Sequence, residues 1–417
     1  MTMGAAGLDR GRLATAADWL AVALAASLPL STSLTAILAA LWLLALLPTL
    51  DAASLRNVVK SPAGALPLAL LLFGLAGMAW ADVGWAERWH GFDSFLKLAA
   101  VPLLLVQFNR SERGVWVFVA YLAACMLTLV LSTAIMLLPS LYWRDPMTFP
   151  TPFKNPATQS GEFVACIFVL LFVAIDDWRR QRRARAALLA LLAAAFLNDI
   201  VFAATGRTAL VVAVALLPLL ALRQFRATGV IAVLLAAGVV GAALWSTSPY
   251  LRQRVGAVWT EIERYRTDRA LTSSGERLEF WRKSLASIGR APLIGHGTGS
   301  IAQQMRAETQ GQTGPYATVT PNPHQQTLAV AMQLGLLGAA VLWAMWIAHL
   351  LLFGGEGLAA WVGLVVVVQN IVGSLFNSHL FDFTQGWAYV VGVGVAGGMV
   401  LQGRRRERAS GGGAVPP

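Results

Sequence analysis

His324 stands in PNPHQQTLAV, directly after a turn set by Pro321 and Pro323 and at the start of a long apolar run. A lone histidine at a helix start is usually structural; context is what gives it chemistry. Two arginines supply that context. Arg207 opens an apolar run in TGRTAL, and Arg277 lies in SSGERLEFWRKSLASIGR. Positive charge near an imidazole disfavours imidazolium and keeps the ring neutral, the state a general base needs. Guanidinium groups bind the oxygens of phosphates in a planar fork. A histidine kept neutral by two arginines facing the same compartment is therefore equipped to act as a base.

Further polar residues lie near the ends of apolar runs: Lys97, Lys154, Asn155, Glu162, Asn198 and Asp199. Each alone reads as a helix-end group, because lysine snorkels and Glu162 in a first turn meets the helix dipole favourably. Together they describe a polar, partly cationic cavity suited to an anionic lipid headgroup. His379 and Asp382 share a short connection, where they either orient a substrate or cap a helix. His90, His296 and His349 have no such company. Glu261 and Glu263, in a charge-rich stretch, read as a solvated helix face rather than a cation site. Cys125 and Cys166 sit inside apolar runs as small core residues, with no thiol pair at ligand spacing. No metal and no cofactor is expected. A serine hydrolase lacks its Gly-x-Ser-x-Gly elbow, and no Gly-rich phosphate loop follows a strand.

The elements that must position these groups follow from composition. Of 417 residues, 57% are hydrophobic and 13% charged, against about 45–50% and about 25% in soluble domains. Such an apolar excess requires an all-α integral membrane protein. Runs bounded by charges or by Pro and Gly place spans near 16–30, 32–50, 63–81, 92–108, 114–139, 158–175, 186–204, 207–222, 228–245, 325–352, 358–378 and 384–401. The first two form a hairpin turned at Pro29. Seventeen Lys and Arg, among them Arg56, Arg110, Arg179 and Arg404, fall in alternate connections on one side. The short connections opposite hold only Arg88, Arg144, Lys154 and Arg207. Positive charge stays inside, so both termini are cytoplasmic and the net charge of +11 mostly reports topology, not nucleic-acid binding.

These boundaries divide the chain into transmembrane helices 1 to 9 over 1–245, a helical outer segment over 246–322, transmembrane helices 10 to 12 over 323–402, and a disordered cytoplasmic tail over 403–417. Within the outer segment, Ser273 and Glu276 have capping-box spacing, and Leu278, Trp281, Leu285 and Ile288 share a helical face. The result is an amphipathic helix on the membrane, with Arg277 near Trp281 and with Arg282 and Lys283 solvated or facing headgroups. PLIGHGTGS reads as a Gly-rich loop whose amides could alternatively cradle phosphate.

FKNPATQSGEF, TGRTAL, ERLEFWRKSLASIGRAPLIGHGTGS and PNPHQQTLAVAMQLGLLG together resemble the bacterial O-antigen ligase family, part of a superfamily that includes O-antigen polymerases and O-linked oligosaccharyltransferases. The last two stretches carry most of the resemblance; FKNP and TGRTAL match in outline. The resemblance implies a GT-C-like fold of about 12 transmembrane helices. It also implies a glycosyltransferase that moves a glycan from undecaprenyl pyrophosphate to a hydroxyl of the lipid A core oligosaccharide. The reaction would take place at the periplasmic face of the inner membrane. It puts the catalytic base at His324, the pyrophosphate at Arg207 and Arg277, and further substrate contacts at Lys154 and Asp382. Pyrophosphate is a good leaving group, so direct, inverting displacement needs neither general acid nor metal. Rival readings are a polymerase or a protein O-oligosaccharyltransferase using the same donor. A transporter would instead place ionisable groups near the midplane on broken, repeat-related helices.

Overall fold

A computed structural model describes residues 9–268 and 272–411. Among these residues all regular structure is helical. The chain opens with a hairpin, α1 (Arg10–Ser27) and α2 (Thr32–Leu46), whose turn is tied by the Ser27 and Thr35 hydroxyls 2.9 Å apart. α3 (Ala52–Val59) and α4 (Pro62–Gly77) meet at 85°, because Ser61 caps α4 and Pro62 occupies its first position. α5 (Trp85–Leu96) runs through a 3-10 turn into α6 (Ala100–Phe108), and α7 (Gly114–Leu137) returns. Asn155 caps α8 (Pro156–Arg179) through the Thr158 amide, and α9 (Arg183–Phe202), α10 (Arg207–Gln224) and α11 (Ala227–Thr247) follow. Next come α12 (Pro249–Asp268), α13 (Ser273–Arg290) and α14 (Ile301–Thr309), then α15 (Gln326–Leu352), α16 (Leu358–Gly373) and α17 (Phe383–Gly411).

A helix lies at each of the twelve positions expected for a span. By length and composition, nine of the described helical stretches suffice to cross a membrane, or ten with the bent pair of α3 and α4 counted as one. α11 has no buried residue, and its Ile231, Leu235 and Val239 are largely exposed. Such a surface suits hydrocarbon and not water. The chain is a multi-pass membrane protein.

The helices pack around two main cores, one joining α1, α2, α4, α6, α15 and α17, the other joining α7 to α10 with α16. Close approach depends on glycine. A Cβ at Gly394 of α17 would lie 2.4 Å from that of Leu104 in α6, so only the missing side chain lets these helices touch. Cys125 and Cys166 are free and buried in the second core.

Several local expectations change. Lys97 does not snorkel from a helix end, because its span begins at Trp85 rather than near residue 92. Its buried ammonium donates to the carbonyls of Leu380, Phe381 and Asp382 at 3.2, 3.1 and 2.9 Å, clamping the connection between α16 and α17. α15 is interrupted at Gly335, whose φ of 65° leaves the helical region. The Gly-rich loop wedges in there. His296 and Gly297 donate to the carbonyls of Met332 and Gln333, while Leu336 and Leu337 donate to those of Pro292 and Leu293. The amides of this loop are thereby used structurally, and the break is satisfied by protein.

The helix of α13 is capped by Thr272, which accepts from the Gly275 amide, not by Ser273. Of the expected apolar face only Ile288 is buried; Leu285 is 61% exposed, and Phe280, Ser284 and Ser287 turn inward instead. Lys283, expected in solvent or facing headgroups, is fully buried, and the Tyr316 carbonyl accepts its ammonium. α17 continues to Gly411, so residues 403–411 are helical where a disordered tail was expected; Arg404 reaches the Leu352 carbonyl and Arg406 pairs with Glu112. Residues 412–417 lie outside the described residues.

Candidate active site

The starts of α8, α10, α15 and α17 gather at one end of the bundle, with α12 and α13 against them. His324 sits two residues before α15 in a left-handed conformation (φ 54°), uncommon for a side chain with a Cβ. Its amide donates to Asn322 Oδ1 at 2.8 Å, which also accepts from the Ser378 hydroxyl at 2.7 Å. That fixes the Asn322 amide: the oxygen faces the two donors, so Nδ2 donates to Asn377 Oδ1 at 3.1 Å. Asn377 Oδ1 is then an acceptor, and the His324 Nδ1 lying 3.0 Å from it must carry the proton. Nε2 is left bare. The imidazole stacks on Phe280 of α13, with ring centroids 6.0 Å apart.

Burial lowers the pKa of His324; the Asn377 hydrogen bond opposes this, and the positive charge of Arg277 reinforces it. His379 is held neutral more firmly, pushed down to about 4 by burial, with Asp382 opposing and Arg277 assisting. It packs on Gly373, where a Cβ would lie 2.1 Å from its Nδ1.

The two arginines are held differently. Arg207, the first residue of α10, forks onto Glu261 of α12 at 2.8 and 2.9 Å and reaches the Ser274 hydroxyl at 3.2 Å. Glu261 is therefore no solvated side chain. It also accepts the Ser274 amide and hydroxyl, and the Arg207 guanidinium leads the interactions that hold its carboxyl at about 2. Glu263 remains exposed. Arg277 makes no hydrogen bond among the described residues; burial lowers its pKa, and so does the like charge of Arg207.

Lys154 and Asp382 belong to a neighbouring group. The Lys154 carbonyl is held by Arg144 and Thr151, while its ammonium, its pKa lowered by burial, feels the charges of Glu162 and Asp382. Asp382 caps α17 by accepting the Gln385 amide. Glu162 is buried, and neither of its carboxylate oxygens has a hydrogen-bond partner. It lines a cavity of ≈ 330 Å³ that follows α8 from Thr158 to Val173 between α7, α10, α16 and α17. His379, Thr384 and Gln385 line it near Glu162, and the remainder is mostly aliphatic.

The structure thus brings His324, Arg277 and His379 within electrostatic reach of one another, with Arg207 beside Arg277. Lys154 and Asp382 join through Asp382, which acts on His379. Sequence reasoning missed Asn377, Phe280 and the pairing of Glu261. Asn322 had a signal, its place between the two prolines before His324; Asn377 had none. Among the described residues no three His, Cys, Asp or Glu side chains gather as metal ligands.

No curated protein matches the chain. Residues 194–343 match the model of a protein family described as O-antigen ligase; this stretch runs from α9 into α15, holds Arg207, Arg277 and His324, and supports the resemblance to that family read from the sequence.

Proposed function

We propose that this protein is a glycosyltransferase that ligates a glycan from undecaprenyl pyrophosphate onto the lipid A core oligosaccharide at the periplasmic face of the bacterial inner membrane. One observation carries the reading: a histidine with protonated Nδ1 and bare Nε2, beside an arginine that has no hydrogen bond of its own among the described residues. The asymmetry of Lys and Arg supports twelve spans, cytoplasmic termini and a periplasmic position for the α12 to α14 segment.

In this mechanism Nε2 of His324 takes the proton of the acceptor hydroxyl while that oxygen attacks the anomeric carbon from the side opposite the pyrophosphate. The bond from that carbon to the pyrophosphate oxygen breaks, its electron pair leaves with the pyrophosphate, and the configuration inverts. Arg277 and the outer edge of Arg207 receive the developing charge. His324 becomes imidazolium, which the nearby arginines disfavour, so its proton passes to water or to the departing pyrophosphate and the base is restored. Lys154 and Asp382 contact substrate at the margin, and the aliphatic cavity along α8 suits a lipid chain. No step requires metal; transfer abolished by EDTA and restored by a divalent ion contradicts that part.

The test uses purified protein in lipid with a labelled undecaprenyl pyrophosphate glycan. Label should move to added lipid A core with wild type and not with folded His324→Ala. Label growing only into longer carrier-linked chains makes the protein a polymerase. Normal transfer by His324→Ala removes the base.

A further inference from the structure

α13 has a second functional-looking face. At about 100° per residue, Glu279 and Arg282 lie roughly 140–200° around the helix from Arg277. They border a cavity of ≈ 650 Å³ completed by Tyr265 and Arg266 of α12 and by the 311–316 connection, including Gln312 and Tyr316. Its size falls within the range of small-molecule sites.

The walls are pre-organised. Glu279 accepts from the Tyr265 hydroxyl at 2.9 Å and from Arg282 at 2.6 and 3.1 Å. Behind it, the fully buried Lys283 donates to the Tyr316 carbonyl at 2.5 Å and anchors the far wall. Two groups remain uncommitted among the described residues: Arg266, exposed on the last turn of α12, and Gln312 Oε1, buried without a hydrogen-bond partner. Among the described residues no aliphatic side chain lines the cavity, which argues against a lipid tail, and the one lining carboxylate, Glu279, is paired with Arg282 and the Tyr265 hydroxyl, which argues against a cation. Tyrosine rings offer flat faces for the C–H surfaces of sugars, and the arginines and glutamine offer bonds to hydroxyls. Among the described lining residues, two guanidiniums against one carboxylate leave net positive charge.

We infer that this pocket binds a saccharide carrying negative charge, holding the glycan part of one substrate while its reacting end lies at His324. The inference rests on the proposed function. The two faces are separated by about the 10–12 Å diameter of a helix with its side chains, a distance a short oligosaccharide can bridge around α13. Phosphorylated core oligosaccharide and an acidic donor glycan share this chemistry.

The experiment titrates the full chain in nanodiscs with lipid-free core oligosaccharide, before and after phosphatase treatment, and with lipid-free acidic O-polysaccharide. Wild type should bind at least one charged saccharide, and which one binds identifies the source. Arg266→Gln, at an exposed residue, should weaken that binding about 10-fold, as loss of a charged hydrogen bond does, and should raise the KM of that substrate with little change in kcat. Arg306→Gln, on α14 outside the pocket, should bind as wild type. The inference is overturned if no charged saccharide binds, if phosphate-free and charged forms bind equally, or if Arg266→Gln binds as wild type. His324→Ala separates the two readings. If it binds saccharide normally and cannot transfer, both stand; if it transfers normally, the mechanism fails while the pocket stands. If it is inactive while Arg266→Gln is unaffected, the pocket fails and the mechanism stands.

Discussion

Arg207 and Arg277 bring the same side chain to the same site and are held in opposite ways. Arg207 is locked in a two-pronged pair with Glu261, an acid that also ties down the start of α13. Arg277, one turn into α13, is partly buried without a hydrogen bond among the described residues and is repelled by its neighbour. The first is a fixed post whose charge is largely neutralised. The second makes no hydrogen bond among the described residues and is met only through space by Glu261 and Glu276, while the helix carrying it is anchored by the first. A half-buried guanidinium with its donors free of hydrogen bonds among the described residues is suited to receive an anion. In the proposed mechanism Arg277 takes most of the charge of the leaving group, and Arg207 positions.

This division predicts unequal effects. The largest belongs to Arg277→Gln, expected to lower kcat by about 10²–10³, as loss of a charge-stabilising donor does. Transfer assays set that loss against Arg207→Gln, and an equal loss in Arg207→Gln with α13 still in place would erase the distinction. Next comes Glu261→Gln. It should free the start of α13 and speed hydrogen exchange at Ser274 by about 10-fold or more, since an accepting carboxylate is lost; unchanged exchange would mean that the helix is anchored elsewhere. The same pair sets a pH window. Glu261 is lowered from 4.5 to about 2, so its contribution is fully present above 4.5 and is lost as pH falls through about 2, which thermal unfolding at acidic pH reads.

Smaller shifts concern His324. Its pKa is lowered from 6.5, so the acid limb of kcat/KM for wild type should lie below that value, activity falling as the base is protonated. Removing the Arg277 charge should move the limb of the residual activity upward. Asn377→Ala should move it downward, because the lost hydrogen bond favoured the protonated ring, and should cost about 3–10-fold in rate. Shifts in the same direction would contradict the arrangement of charges.

Much of this site was legible as types and places. His324 after PNP, Arg207 at the head of an apolar run and Arg277 on an amphipathic helix are local signals, and the structure brings them to one end of the bundle. The helices were legible for the same reason: apolar runs bounded by charges or by Pro and Gly act over a few residues. Partners were not. Asn377 lies 53 residues from His324, Glu261 lies 54 from Arg207, and the Tyr316 carbonyl that buries Lys283 lies 33 away. The buried face of α13 was misread because its direction is set by a small core that Phe280 and Ile288 share with α14 and α15, which also turns Lys283, Ser284 and Ser287 inward, and not by the apolar stripe of an isolated helix. The break in α15 was hidden for a similar reason, since Gly335 leaves the helix only where the distant Pro292 and Leu293 carbonyls replace the bonds it gives up. The sequence by itself determined which segments are helical and apolar and where side chains of base and anion-binding type stand, because propensity, capping and hydropathy are short-range. Only the tertiary structure decided which nitrogen of His324 is bare, which arginine forks onto a carboxylate and which lysine is buried, because these depend on groups that meet only when the helices pack.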